Sequence, residues 1–298
     1  MATRRDFLRT ACLAAATASV TDVALGASSK IPSADRMGVL CDLTACVGCR
    51  SCEAACKKDH GLPTDSNSLA TDRSYPPERR RPSPESLTVV NEYKSLNDES
   101  RPTYVKVQCM HCDYPACESA CIVGAISKRE SGPVVWDGDK CIGCRYCMVA
   151  CPFQIPSFQY DTALKPDIVK CDFCVHRTSA GRVPACVEIC PVEALTYGRR
   201  SALIEVARRK IENYPDRYRN HIYGEFEAGG TSWLYLANAD FKEFQFPDLK
   251  RDPMPGTTES IQHGIFAYFV PPLSLYSLLG GLMWITKKRK EAEEEMAE

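Results

Sequence analysis

A chain of 298 residues with a formal net charge of −1 can form one large domain or two small ones, and it carries no basic excess that would suit a nucleic acid. Cysteine is the outlier: there are 18, and 17 of them fall between Cys41 and Cys190. Such density means a disulfide scaffold or metal sites, and the spacing has to decide between them.

The chain opens on a targeting segment. Thr3-Arg4-Arg5-Asp6-Phe7-Leu8-Arg9 is a twin-arginine motif with an apolar pair behind it, followed by an Ala/Thr-rich run to Val20. Small residues at Ala24, Gly26 and Ala27 offer a cleavage region, so residues 1–27 are assigned as the signal. An ordinary basic N-terminus is the weaker reading. Cys12 lies inside this segment and fits neither a ligand nor a lipid-attachment box. Export of an already folded protein lets a metal cluster be installed in the reducing cytoplasm first.

The remaining cysteines sort into quartets, with only Cys12 and Cys41 left over. Cys46, Cys49, Cys52 and Cys56 run C-x2-C-x2-C-x3-C, and Cys141, Cys144, Cys147 and Cys151 repeat that spacing with Pro152 behind. Cys109, Cys112, Cys117 and Cys121 run C-x2-C-x4-C-x3-C. Cys171, Cys174, Cys186 and Cys190 run C-x2-C-x11-C-x3-C, with Pro191 behind. The C-x2-C-x2-C-x3-C-P spacing is that of bacterial ferredoxin ligation. Three closely spaced thiolates wrap one cubane, while the fourth sits a helical turn away and reaches a second. Zinc uses well-separated C-x2-C pairs around a single ion. A disulfide framework has no reason to crowd sulfurs this way. Iron–sulfur clusters are therefore the leading reading, with zinc or a disulfide module as remote alternatives.

Local pattern also says which quartets pair. Asp137 stands four residues before Cys141, behind Val134-Val135-Trp136; Asp42 stands four before Cys46, behind Val39-Leu40-Cys41. Ala125-Ile126-Ser127, after the second quartet, has its counterpart in Ala194-Leu195-Thr196 after the fourth. The expected fold is therefore α+β: two nested bacterial-ferredoxin-like modules spanning 28–200, the inner one over about 104–160, with a single C-terminal transmembrane helix. Four [4Fe–4S] clusters with exchanged fourth ligands are expected. One takes Cys46, Cys49, Cys52 and Cys190, and its neighbour Cys171, Cys174, Cys186 and Cys56. The inner pair takes Cys109, Cys112 and Cys117 with Cys151, and Cys141, Cys144 and Cys147 with Cys121. Cys41 takes the place of Trp136 on a strand, as a packed thiol.

Several other stretches are weighed against plain readings. His111 could tune a cluster through a hydrogen bond to sulfur, although packing is the stronger reading. Glu78-Arg79-Arg80-Arg81-Pro82, in the connector between Cys56 and Cys109, reads as solvated loop, with partner docking as the minor reading. Ser201 to Tyr214 reads as an amphipathic helix ended by Pro215, opening a covering region over 201–260.

The last hydrophobic stretch, Gly264 to Thr286, holds 23 residues without a charge. As a helix it would be roughly 34 Å long, enough to cross a bilayer. The anchor is assigned to 261–286 and the charged tail to 287–298, where Lys287-Lys288-Arg289-Lys290 marks the cytoplasmic side. Pro271-Pro272 is tolerable in a membrane helix whose neighbours satisfy the freed carbonyls. A buried soluble helix is the alternative. Ser277 and Gly281 form a small-xxx-small pair suited to a partner helix, and His263 lies at the membrane edge.

With QCMHC (108–112), CRYCMVACP (144–152) and YGEFEAGGTSWLYL (223–236), the quartets resemble the four-cluster ferredoxin-type subunits of membrane-bound respiratory complexes. The resemblance covers roughly Met37 to Thr286. It is nearest to the iron–sulfur subunit of periplasmic hydrogenase-two type nickel–iron hydrogenase, which has its own twin-arginine signal and an anchor introduced by a motif like Ile261-Gln262-His263. Next comes the formate dehydrogenase beta subunit. Lys57 and Ile122 depart from the pattern by replacing the proline after two quartets. The resemblance implies a non-catalytic electron relay between a nickel–iron or molybdopterin subunit and a quinone-reactive multi-span membrane protein. It also implies the cytoplasmic membrane, with the cluster domain in the periplasm. No dinucleotide fingerprint or other turnover chemistry is present.

Overall fold

The computed structural model describes residues 36–63, 75, 78–94, 102–162, 166–256 and 273–289. The expected signal segment with Cys12, residues 261–272 of the expected anchor with His263, and residues 290–298 of the tail lie outside the described residues. Helical residues 273–289 are exposed throughout, and among the described residues no helix is long and apolar enough to cross a membrane.

The architecture is α+β. Strand β1 (Met37–Asp42) is central, with strand Leu195–Arg199 antiparallel on one side and strand Trp233–Leu236 parallel on the other. The register sets Cys41 opposite Leu195. A smaller hairpin repeats this pairing: β4 (Ile126–Lys128) lies antiparallel to β5 (Val134–Trp136), with Ile126 opposite Trp136. The aspartate that follows makes the same bond in both places. Asp42 N–H donates to Ala194 O at 2.8 Å, and Asp137 N–H to Ala125 O at 2.7 Å. One pair is local in sequence; the other joins the two ends of the cysteine-rich region.

The connector before Cys109 carries regular structure. Val89–Tyr93 (β2) and Thr103–Val107 (β3) form an antiparallel hairpin whose Val89, Val105 and Val107 enter the main core. The arginine run is not simply solvated. Arg80 reaches the carboxylate of Glu53 at 2.7 Å and donates to Val90 O, while Arg79 donates to Gln245 O at 3.0 Å. Glu53 is 1% exposed, and a buried carboxylate recruits cations because desolvating it alone is too costly.

Behind β1 runs the longest helix of the cluster domain, Arg200–Asn213, within a residue of the expected start and stop. Leu203, Ala207 and Ile211 recur at i, i+4 and i+8 and pack on Leu40, Leu234 and Leu236. Each buried Leu or Ile contributes roughly 1.5–3 kcal/mol. Lys210 and Tyr218 both donate to Asp42 Oδ2, at 2.9 and 2.7 Å. Burial would raise the Asp42 pKa, but these bonds and that from Thr44 outweigh it and hold the carboxyl below its usual range.

The segment 223–236 straps the domain. Gly224, at φ +93°, turns where a Cβ would stand 2.3 Å from Trp233 O, so only glycine fits. Beside it, His221 Nε2 meets Glu227 Oε1 at 2.6 Å. The hydrogen bond to Glu227 raises the His221 pKa above 6.5 against the effect of burial. On Glu227 burial acts upward, and the bond from His221 and backbone N–H groups bring its pKa below 4.5. The imidazolium's contribution is full below pH 6.5 and lost as pH rises through its folded value; the carboxylate's is lost as pH falls below 4.5. His221→Gln is therefore expected to lower the melting temperature most between about pH 4.5 and 6.5, and less at pH 8. A pH-independent deficit would show that the pair contributes only packing.

Candidate iron–sulfur sites

The first C-x2-C loop of each quartet turns by the same device. The residue just before its second cysteine is left-handed: Gly48 at φ 67°, His111 at 48°, Gly143 at 70° and Phe173 at 66°. This reversal brings the second thiol back toward the first. Glycine does it without strain in the two C-x-G-C loops. His111 and Phe173 are non-glycine residues held there at a cost of order 1–3 kcal/mol each. Both are buried, at 0% and 1%, with ring centroids 4.9 Å apart. Packing thus stabilises a conformation that neither residue prefers.

Short helices carry the later thiols. Ser51–Asp59, with Glu53 in its first turn and Lys57 and Lys58 in its last, matches the helix dipole and bears Cys52 and Cys56. Tyr146–Ala150 begins behind Arg145 as Ser51–Asp59 begins behind Arg50, both arginines being left-handed. Pro-Ala-Cys opens both Ala116–Ser119 and Ala185–Glu188, placing Cys117 and Cys186 in their first turns.

The described thiols gather into sets. Burial pushes Cys46 up to about 11; the Gly48 N–H opposes this, and Cys190 and Cys49 add to the rise. Cys52, also raised by burial, feels Cys186 and Cys46. Cys171 is raised by burial and then by Cys56; Cys174 by burial, Cys186 and Cys56, against a backbone bond. Burial raises Cys112, with Cys151, Cys109 and Cys117 adding. Burial and then Cys121, Cys144 and Cys141 push Cys147 up to about 11. A cavity is walled by Cys121, Cys141, Cys144 and Cys147 together with Trp136 and Ile168. All 17 described cysteines are free thiols, none in a disulfide. Cys41 is 1% exposed, and burial first, then Cys46, raises its pKa.

These sets suit [4Fe–4S] clusters on their own chemistry. Buried, mutually repelling thiols become thiolates only where a cation takes them up. Buried N–H donors also lack partners among the described residues: Trp136 Nε1, Trp233 Nε1 and His111 Nε2. His111 Nδ1 accepts the Val134 N–H at 2.9 Å, so the ring proton sits on Nε2. Burial holds that ring neutral. An unsatisfied buried donor is costly, and cluster sulfur is an acceptor that would satisfy it.

Sequence reasoning passed over the polar frame around the thiols. His60, four residues after Cys56, places Nδ1 3.0 Å from Cys56 O and Nε2 2.9 Å from Asp172 Oδ1. Burial would lower its pKa, but Asp172 and Cys56 outweigh it and bring it up to about 11. Arg177 joins Asp59 at 3.0 Å and also Glu188. The local signal is the spacing of His60, the C-cap residue of Ser51–Asp59, four positions after Cys56.

Residues 101–200 match the family model of a 4Fe-4S dicluster domain. A protein of Nitratidesulfovibrio vulgaris is 44% identical over 89% of this chain and 70% of its own length. The hydrogenase-2 operon protein HybA of Escherichia coli O157:H7 is 31% identical over 96% of this chain and 95% of its own. The iron–sulfur subunit of the nitrate-inducible formate dehydrogenase of Escherichia coli K12 is 31% identical over 76% of each. The chain belongs to the ferredoxin-type iron–sulfur electron-transfer subunits.

Proposed function

We propose that this chain is a non-catalytic relay holding four [4Fe–4S] clusters, one per thiol set, in two nested ferredoxin-like modules. What supports this reading is that the leading thiol acting on each set comes from the set it would exchange with: Cys190 on Cys46, Cys56 on Cys171, Cys151 on Cys112 and Cys121 on Cys147. The ligands are then Cys46, Cys49, Cys52 and Cys190; Cys171, Cys174, Cys186 and Cys56; Cys109, Cys112, Cys117 and Cys151; and Cys141, Cys144, Cys147 and Cys121. A bound cluster supplies one-electron chemistry. The chain's own residues exclude water, fix spacing and set the surrounding charge.

The relay's partners are a periplasmic catalytic subunit, of nickel–iron hydrogenase type, and a quinone-reactive membrane subunit. The near-complete two-way coverage with HybA favours hydrogenase over formate dehydrogenase, whose iron–sulfur subunit matches a smaller share of the chain. Arg4-Arg5 would direct export, and 261–286 would anchor the domain, with Lys287–Lys290 inside.

One pair of variants tests both addresses. Arg4→Lys with Arg5→Lys is expected to leave the subunit inaccessible to protease added outside spheroplasts. Truncation after Ser260 is expected to keep iron content and reduction by an artificial donor while quinone-linked activity of the complex falls at least about tenfold, since tethering supplies the effective concentration of the acceptor. A truncated complex that stays membrane-bound with full quinone activity would remove the anchor from this account.

A further inference from the structure

Lys106 is a buried cation with no anionic partner among the described residues. Lys106, on β3, is 2% exposed. Its ammonium donates to Thr88 Oγ1 at 2.8 Å and Gln108 Oε1 at 3.0 Å, and sits 4.5 Å from the centre of the Trp233 ring. All three partners are neutral, and among the described residues no carboxylate lies within ion-pair distance of it. Hydrogen bonds to neutral groups and a ring face return less than burying an ammonium costs. Such a lysine ordinarily loses its proton. This one does the reverse. Burial acts to lower its pKa, but the thiols of Cys186, Cys52, Cys171 and Cys56 outweigh burial and raise it above the usual lysine value.

Those thiols belong to two different sets, Cys52 to the first and the other three to the second. Seen from the other side, Lys106 acts on Cys46 and Cys52 as well as on Cys171 and Cys186. On the inner thiols other lysines act, Lys128 on Cys112 and the buried Lys170 on Cys117. Thr88 and Gln108 hold the ammonium in place, and Gln108 is itself fixed by Tyr235 OH at 2.6 Å. The position is built, since a side chain with four rotatable bonds is pinned at its tip.

We propose that Lys106 is a fixed counter-charge shared by the two outer-module clusters, raising the reduction potential of both above what they would have without it. The inference rests on the cluster assignment above. A site of four thiolates is anionic when oxidised and more so when reduced, so a nearby buried cation favours the reduced form. Net charge near a cluster is one of the levers on its potential.

The test is a spectroscopically monitored redox titration of the whole complex, comparing wild type, Lys106→Met and Lys106→Arg. In the methionine variant two of the four cluster signals are expected to shift by at least tenfold in their reduction equilibrium toward the oxidised form, which is 59 mV for a one-electron couple. The other two should stay in place and the iron content should be unchanged. The arginine variant, which keeps the charge, should titrate close to wild type. Full iron with unmoved potentials, or four signals moving together, would overturn the proposal. If the methionine variant loses iron, the arginine variant decides. Retained iron and wild-type potentials support the charge, and equal loss of iron shows that shape alone mattered and overturns it. A shortage of iron in the wild type would instead defeat the cluster assignment and is read separately.

Discussion

Cys147→Ser is expected to cost the protein one cluster and to disturb a second. Wild-type chain purified without oxygen should hold about sixteen irons and a similar amount of acid-labile sulfide. The serine variant should lose roughly a quarter of both, because an alkoxide is a poor substitute for a thiolate on iron. The disturbance follows from proximity. Cys147 is among the groups that raise the Cys117 thiol, behind burial and Cys109, so the two inner sets share an electrostatic boundary. The signal of the cluster held with Cys117 should shift in potential while its iron is retained. Unchanged iron would remove Cys147 from the ligand set, and zinc in place of iron would replace the proposed chemistry altogether.

Glu53→Gln is expected to be among the most damaging single changes outside the cysteines. The carboxylate is 1% exposed and bonds Arg50 at 3.2 Å, Arg80 at 2.7 Å and the Val90 N–H at 2.5 Å. Glutamine preserves the shape and an acceptor for Val90, but it leaves the arginines without their carboxylate. Removing one member of a buried ion cluster costs about 3–5 kcal/mol, against a total stability of roughly 5–15 kcal/mol for a typical domain. Because the helix bearing Glu53 also carries Cys52 and Cys56, iron should be lost from both outer sets. The checks are the melting temperature and iron per chain. A variant within a few tenths of a kcal/mol of wild type, with full iron, would mean that the arginines find other partners at no cost.

Short-range chemistry was legible in the sequence, and its physical basis is plain. Thiol spacing fixes which side chains a short loop or a single helical turn can bring together, and it separated the quartets before any coordinates. The matching offsets of Asp42 and Asp137 anticipated the strand pairs Cys41–Leu195 and Ile126–Trp136. The helix Arg200–Asn213 was legible because Leu203, Ala207 and Ile211 repeat at helical period and Pro215 ends the run. The run Glu78–Pro82 reads as solvated loop, yet Arg79 and Arg80 are tied into the fold, and the hairpin that follows in the connector gives no sequence signal. Its strands, Val89–Tyr93 and Thr103–Val107, are joined by a polar stretch with no tight-turn signature.

What only the tertiary structure decided is the polar interior. Glu53 meets Arg80 across 27 residues, His60 meets Asp172 across 112, and Gln108 meets Tyr235 across 127. No periodicity encodes such pairs. A buried charge accepts whatever opposite charge or donor the packed fold delivers, so its partner depends on how distant segments stack. Lys106 shows the limit most clearly. In the sequence it is one lysine in an apolar strand, indistinguishable from a residue at a sheet edge facing water. Only the folded chain buries it between two sets of thiols, where the cost of desolvation makes its charge matter to both.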